Sequence, residues 1–365
     1  MRPDRKEDHV EVGILVAPGA ETPGLVARAE GLGFASAFFV DSPVLFGDLY
    51  VSMAACAART SRILLVTGVT NPLTRTAPVT ASALASLNAY APRRVGMGIG
   101  VGFTATRAMG QRSATLAELE RYVAQVRGLL RGEVVDVAFD DDAVPVQLLN
   151  QTRPWFDLED EIPVYMAAAG PKALALAGQI ADAVILGGIA NTDVIAACRE
   201  ILDQGARKVG RTVDDIRIAI TPSVYVTDEP PRFEHLRATL GPKSLAPALT
   251  FSRIAEQSPL VPRSVADDLA AVRLAYRPDD EPGGDERSRH LRAYRGYMTE
   301  LKEWQVPLIT PSVLEATSIA GTPDECYRKL THLGRNGVDH VVLSPLPQHA
   351  DAVVESFGGI IPRLP

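Results

Sequence analysis

Cysteine is scarce in this chain, with Cys56, Cys198 and Cys326 spread singly over 365 residues. That spacing argues against a disulfide framework and against a clustered zinc site, and each cysteine reads as a small buried residue within a helix-like pattern. Histidine is nearly as thin. His9, His235, His290, His332, His340 and His349 form no H-E-x-x-H pair, and no G-x-S-x-G elbow occurs, so the usual signatures of metal and serine hydrolases are missing and no metal is expected. Long apolar runs are also lacking. The charged start "MRPDRKEDHV" has no signal-peptide core and no later run is long enough to cross a bilayer, which sets the expectation of a cytoplasmic protein with no membrane partner. Basic residues are outnumbered, 37 against 44 acidic, for a formal charge of −7 without any basic block, so nucleic acid is not an expected partner.

What the chain does have is a repeated alternation. "VEVGILVA" precedes "TPGLVARAEGLG", "SAFFVD" precedes "DLYVSMAACAART", and "RILLVTGV" precedes "APVTASALASLNAYA". Short apolar runs followed by amphipathic segments are βα units. "RVGMGIGVG" leads to "LAELERYVAQVRGLLRG", whose Leu116, Leu119, Val123, Val126 and Leu130 recur at helical spacing. "PVYMAAAG", "DAVILGG", "IRIAITPSVYV" and "VDHVVLSP" supply strands five to eight. Eight alternating units predict an α/β fold, a (β/α)8 TIM barrel formed as one domain over residues 1–365.

Two stretches interrupt the rhythm and are expected as insertions, at about residues 133–161, read as a hairpin excursion, and 229–317, long, Pro-rich and partly helical. Within the second, "RPDDEPGGDER" reads as an exposed mobile loop. Insertions between barrel units commonly wall or cover the catalytic mouth.

The candidate site residues sit at strand ends. Gly96, Gly98, Gly100 and Gly102 alternate with apolar residues and so share one strand face, where either a flat ligand or a tightly packed small-residue layer needs the room. They do not take the dinucleotide spacing G-x-G-x-x-G. "GARKVGRT" mimics a P-loop but follows a helix, and is assigned to a helix end and turn. In "AAAGPKALALAG", Pro171 suits the first position of a helix, and the amides of Ala169, Gly170, Lys172 and Ala173 can gather around an anion there, with Gly187 and Gly188 at the next strand end. Asp41, ending strand two, either accepts a hydrogen bond from substrate or cofactor or caps the next loop. Glu229, Arg232, His235 and Arg75 are candidates to move a proton.

Together "GVTNPLTRTAP", "MGIGVG", "LAELERYVAQVRGLLRGE" and "VYMAAAGPKALALAGQIADAVILGG" resemble the luciferase-like superfamily of flavin and deazaflavin oxidoreductases, nearest to its methylenetetrahydromethanopterin reductase branch, which uses coenzyme F420. The resemblance covers most of Val10 to Leu202 and returns at "GTPDECYRKLTHLGRNGVDHVVLSPL". It implies hydride transfer between F420 and a small organic substrate, with FMN-dependent monooxygenation as the alternative and a non-catalytic flavin-binding barrel as a further one. It also implies a homodimer. By position it puts a non-proline cis peptide at Gly68–Val69, backing the cofactor ring beside Thr70 and Asn71. Asp41 would lie at the ring or tail as a catalytic candidate, and Ala169, Gly170, Pro171, Gly187 and Gly188 around the phosphate, while Gly98 and Gly100 are cofactor-binding candidates from the glycine alternation itself. One departure stands out. Many deazaflavin-using relatives read "GDSA" after the fourth strand, where this chain has "GFTA", Gly102 to Ala105.

Overall fold

The computed structural model describes residues 10–139, 142–276, 285–294 and 298–365. Its centre is a closed barrel of eight parallel strands: Glu11–Val16, Ser36–Phe39, Leu64–Thr67, Val95–Ile99, Val164–Ala167, Ala183–Leu186, Arg217–Ile220 and His340–Leu343. We number them one to eight. Strands of four to six residues rich in Val, Ile, Leu and Phe are what a sheet buried on both faces requires. Closure then divides each strand by its period of two. On strand eight, Val341 and Leu343 pack outward on the helices, whereas Val342 joins Phe38, Val66, Tyr165, Ala183, Ile185 and Ala219 in a separate interior cluster.

The first insertion is the expected hairpin, Val135–Phe139 paired antiparallel with Asp142–Val146. The run "IRIAITPSVYV" is not one strand. It breaks at Pro222, which has no N–H to give to a ladder; only Arg217–Ile220 stays in the barrel, and Ser223–Val226 turns away to pair in parallel with Ser318–Gly321. Those two strands flank the second insertion and tie its ends together. Between them lie the helices Phe233–Gln257, Arg263–Ala275 and Pro311–Thr317. Most of the segment expected as a mobile loop, residues 277–284, lies outside the described residues. The three cysteines are buried as expected.

The barrel floor carries a polar group in an apolar layer. His340 is buried, its Nε2 lies 2.8 Å from Ser36 Oγ, and its ring meets Phe38 edge-on at 5.6 Å between centroids. Gly13 makes the room, because a Cβ there would fall 2.8 Å from His340 Nε2. Burial, with Arg217 adding to it and Glu11 opposing, pulls the His340 imidazole down to about 4. The unfolded chain therefore takes up this proton first as pH falls, so the stability contributed by neutral His340 is complete above the ordinary histidine range and is lost as pH falls toward 4. Urea midpoints measured from pH 7 to pH 4 should decline, by up to roughly 1.4 kcal/mol per pH unit for this one group. The limb should flatten in His340→Leu.

Candidate active site at the C-terminal mouth of the barrel

In barrels of this type the chemistry sits at the carboxyl ends of the strands. Here Leu15, Val69 and Ala167 pack on the interior cluster yet remain partly exposed, marking an apolar mouth.

One wall is a bulge after strand three. Gly68–Val69 is a cis peptide, as the resemblance implies. The chain then returns to strand four, with Thr70 N–H donating to Gly98 O at 3.0 Å and Gly100 N–H donating to Thr70 O at 3.0 Å. Thr67 Oγ1 also donates to Gly98 O, at 2.6 Å. A Cβ on Gly98 would collide with the Thr67 carbonyl and lie 3.3 Å from Val69 Cγ1, and one on Gly100 would lie 3.2 Å from Val69 Cγ2. The expectation that these glycines open a face to a ligand is corrected: the small-residue layer is what the structure has, and the bulge itself fills the space. Asn71 Oδ1 accepts from Leu73 N–H and Thr74 N–H, both at 3.1 Å, and its side chain leaves no room for a Cβ on Gly102. Thr70 Oγ1 and Asn71 Nδ2 are buried without a partner among the described residues, in the wall behind the bulge.

Asp41 has a partner the sequence did not reveal. Its carboxylate Oδ2 accepts from Arg75 Nη1 at 2.6 Å, and Arg75 Nη2 reaches Asp48 Oδ2 at 2.7 Å. The Asp41 side chain is 2% exposed, Arg75 14% and Asp48 49%. Burial alone would lower the Arg75 guanidinium, but hydrogen bonds and charge from Asp41 and Asp48 hold it above its ordinary value. Arg75 also lies 5.2 Å over the Tyr50 ring, and its carbonyl is 3.0 Å from Tyr122 Oη, which bonds Thr80 Oγ1 at 2.6 Å. Burial pushes the Tyr122 phenol up to about 12. Arg75 is therefore a tie between strand two's end and the loop after strand three, and the proton-carrier reading of Arg75 is set aside.

The rim after strands five and six is more open. Gly170 is the N-cap of the helix Pro171–Ile180, with Pro171 in its first turn, and nothing approaches within 4 Å of where a Gly170 Cβ would stand. Ala169 and Gly170 are partly exposed and Gly187 is exposed. Gly188 differs from expectation. Its N–H already donates to Thr221 Oγ1 at 3.1 Å, and at φ 79° its missing Cβ leaves room for Pro247. Gly188 is a seat for the insertion helix rather than an anion donor.

Other expectations resolve simply. "GARKVGRT" is the end of the helix Thr192–Arg207 and a turn with Gly210 at φ 74°. Glu229 and Arg232 are exposed, and His235 Nε2 lies 3.0 Å from Tyr225 Oη. Phe103 of "GFTA" is exposed, with the Arg107 guanidinium 4.3 Å over its ring. The sequence reading missed Lys243, which projects from the helix Phe233–Gln257 onto the loop after strand eight; a lone lysine within "LGPKSLAPAL" was the available signal.

Comparison with known proteins places this architecture. The model of the luciferase-like monooxygenase family matches residues 5–340. The chain belongs to that family. Among relatives, 5,10-methylenetetrahydromethanopterin reductase of Methanolobus tindarius is 30% identical over 314 residues, covering 85% of this chain and 86% of the relative. F420-dependent glucose-6-phosphate dehydrogenase of Beutenbergia cavernae is 30% identical over 252 residues, covering 66% of this chain and 72% of that one. The solved coenzyme F420-dependent tetrahydromethanopterin reductase of Methanopyrus kandleri superposes with a TM-score of 0.66 at 22% identity, over 98% of this luciferase-like chain and all of its own, a likeness of fold.

The Asp41–Arg75 tie can be tested directly. Arg75→Met strands a buried carboxylate and should cost about 3–5 kcal/mol of stability. Asp48→Asn, at the exposed end, should cost under about 1 kcal/mol. Urea unfolding of both variants checks the contrast.

Proposed function

We propose that this luciferase-like barrel binds the deazaflavin F420 at its mouth and transfers hydride to or from a small organic substrate. The observation that carries the reading is the pairing of two walls. The bulge at Gly68–Val69 faces the mouth after strand three, and two strands along the rim Gly170 stands in open space at a helix N-terminus. Two relatives of about 30% identity whose names carry methylenetetrahydromethanopterin reduction or F420 dependence support the same cofactor.

A bound deazaflavin supplies a hydride at a ring carbon and reacts poorly with oxygen. The rest is the chain's work. Gly68, Val69, Thr70 and Asn71 form the wall behind the ring, and Gly98 and Gly100 let that wall close on strand four. The amides of Ala169, Gly170, Lys172 and Ala173 collect the phosphate, aided by the dipole of the helix opened by Pro171, while Gly187 lets the backbone approach. Asp41 acts as a positioning residue through Arg75. The insertion helix covers the substrate and excludes water. A homodimer, resting on family likeness, and a cytoplasmic location, resting on the want of a signal-peptide core or a long apolar run, are part of this reading.

The family's own description favours a second reading, FMN-dependent monooxygenation at the same mouth. Fluorescence titrations with F420 and with FMN separate the two. F420 binding well below the Kd for FMN is the expected result, the reverse order moves the function to the oxygen-using alternative, and binding of neither removes the cofactor assignment. Because Gly170 faces open space, Gly170→Glu should leave the urea midpoint unchanged. Its carboxylate should weaken F420 binding at least about tenfold.

A further inference from the structure

Lys243 is a partly exposed cation whose hydrogen bonds all go to neutral groups. Its Nζ donates to Ser344 O at 2.8 Å, Ser344 Oγ at 2.6 Å and Pro345 O at 3.0 Å, and it forms no ion pair among the described residues. Those three acceptors use all three N–H bonds of an ammonium. Ser344 follows strand eight, where Val342 lies in the interior cluster. By the strand's period of two, Ser344, only 4% exposed, stands above Val342 on the inner face at the mouth-side end of strand eight. The helix carrying Lys243 spans this side of the mouth, since Pro247, one turn on, seats against Gly188 at the end of strand six.

Hydride delivery to a polar double bond leaves an anion that needs a proton. We propose that Ser344 and Lys243 supply it, Ser344 Oγ donating to the heteroatom of a carbonyl or imine substrate and Lys243 Nζ restoring the serine proton. The inference rests on the hydride-transfer reading above. The balance is complete: the Ser344 O–H bond breaks as the substrate X–H bond forms, the Lys243 N–H bond breaks as Ser344 O–H reforms, and Lys243 regains its proton from solvent. In the oxidative direction each step reverses. The hydrogen-bond inventory permits both states. With an ammonium, Ser344 Oγ accepts and its own hydrogen is free to point into the mouth; with a neutral amine, two N–H bonds serve the carbonyls and Ser344 O–H donates to the nitrogen lone pair.

Burial lowers the Lys243 ammonium to about 7, and among the described residues no charged neighbour contributes. The ionisable groups gathered on that side, His235, Tyr225 and His349, contact one another instead. A proton carrier poised near working pH suits acid–base catalysis.

Competitive acetylation with trace acetic anhydride, resolved by peptide mass mapping across pH, reads both reach and protonation of Lys243 without turnover. The expected result is labelling of Lys243 with a midpoint near 7, moved in Ser344→Ala and slowed at least about tenfold by saturating F420. No labelling of Lys243 while surface lysines react, or a midpoint at the ordinary lysine value, overturns the relay. Oxidation of reduced F420 by a panel of small ketones and imines supplies the second measurement. Lys243→Met should lower kcat by about 100-fold or more while leaving the F420 Kd within about threefold. An unchanged kcat overturns the relay, whereas loss of F420 binding by the unaltered protein overturns the hydride reading beneath it.

Discussion

The contact on which the mouth depends is the packing of the bulge that follows Thr67 against strand four, backbone on backbone. Thr70 pairs with Gly98 and Gly100 at ordinary hydrogen-bond distances, and Val69 lies in van der Waals contact with the bare faces of the same glycines. Any Cβ at Gly98 would meet the Thr67 carbonyl. Gly98 on strand four and Gly100 just beyond its end thus bring the cis bulge inside the barrel rim, and the apolar side chain of Val69 into the mouth. The cost of glycine in a strand is borne for a wall made of the protein's own backbone.

Charge is handled differently at two places on the rim, on either side of strand one. On the strand-two side a buried carboxylate, a guanidinium and a half-exposed carboxylate form a line, so Asp41 is matched and Arg75 is held from two directions. On the strand-eight side the Lys243 ammonium bonds three neutral oxygens and, among the described residues, no carboxylate. A matched pair resists titration and fixes geometry, whereas an unmatched cation in a poorly solvated place yields its proton readily. The same physics makes Arg75 a strut and Lys243 a carrier. His340 at the floor is a third case, a neutral ring kept uncharged by burial far from the opening.

The second insertion reaches the site by seating on it. Pro247 occupies the space a Gly188 side chain would take, and the parallel pair Ser223–Val226 with Ser318–Gly321 draws the two ends of the insertion together beside strand eight. This base explains how about ninety residues between strands seven and eight can be inserted without opening the barrel, since chain closure at the root leaves strand order intact. It also turns one face of a long helix toward the mouth.

Local pattern determined a good deal by itself. The eight strands, the hairpin at Val135 to Val146 and the helix starting at Pro171 follow from periodicity, β-branched content and the position of a proline, all of which act within a few residues. The alternation of Gly96, Gly98 and Gly100 showed that one face must stay bare, but not what would occupy it. That was decided by Thr67 and Val69, on the preceding strand and its bulge. Likewise Asp41 and Arg75 are 34 residues apart, Gly188 meets Pro247, and Lys243 meets Ser344 across 101 residues. Such contacts leave no local trace, because either partner alone is compatible with many environments. Sequence pattern therefore determined the barrel and its strand ends, and only the tertiary structure decided which of those ends are matched, blocked or open, since matching of charge and exclusion of volume are properties of pairs brought together by closure of the sheet.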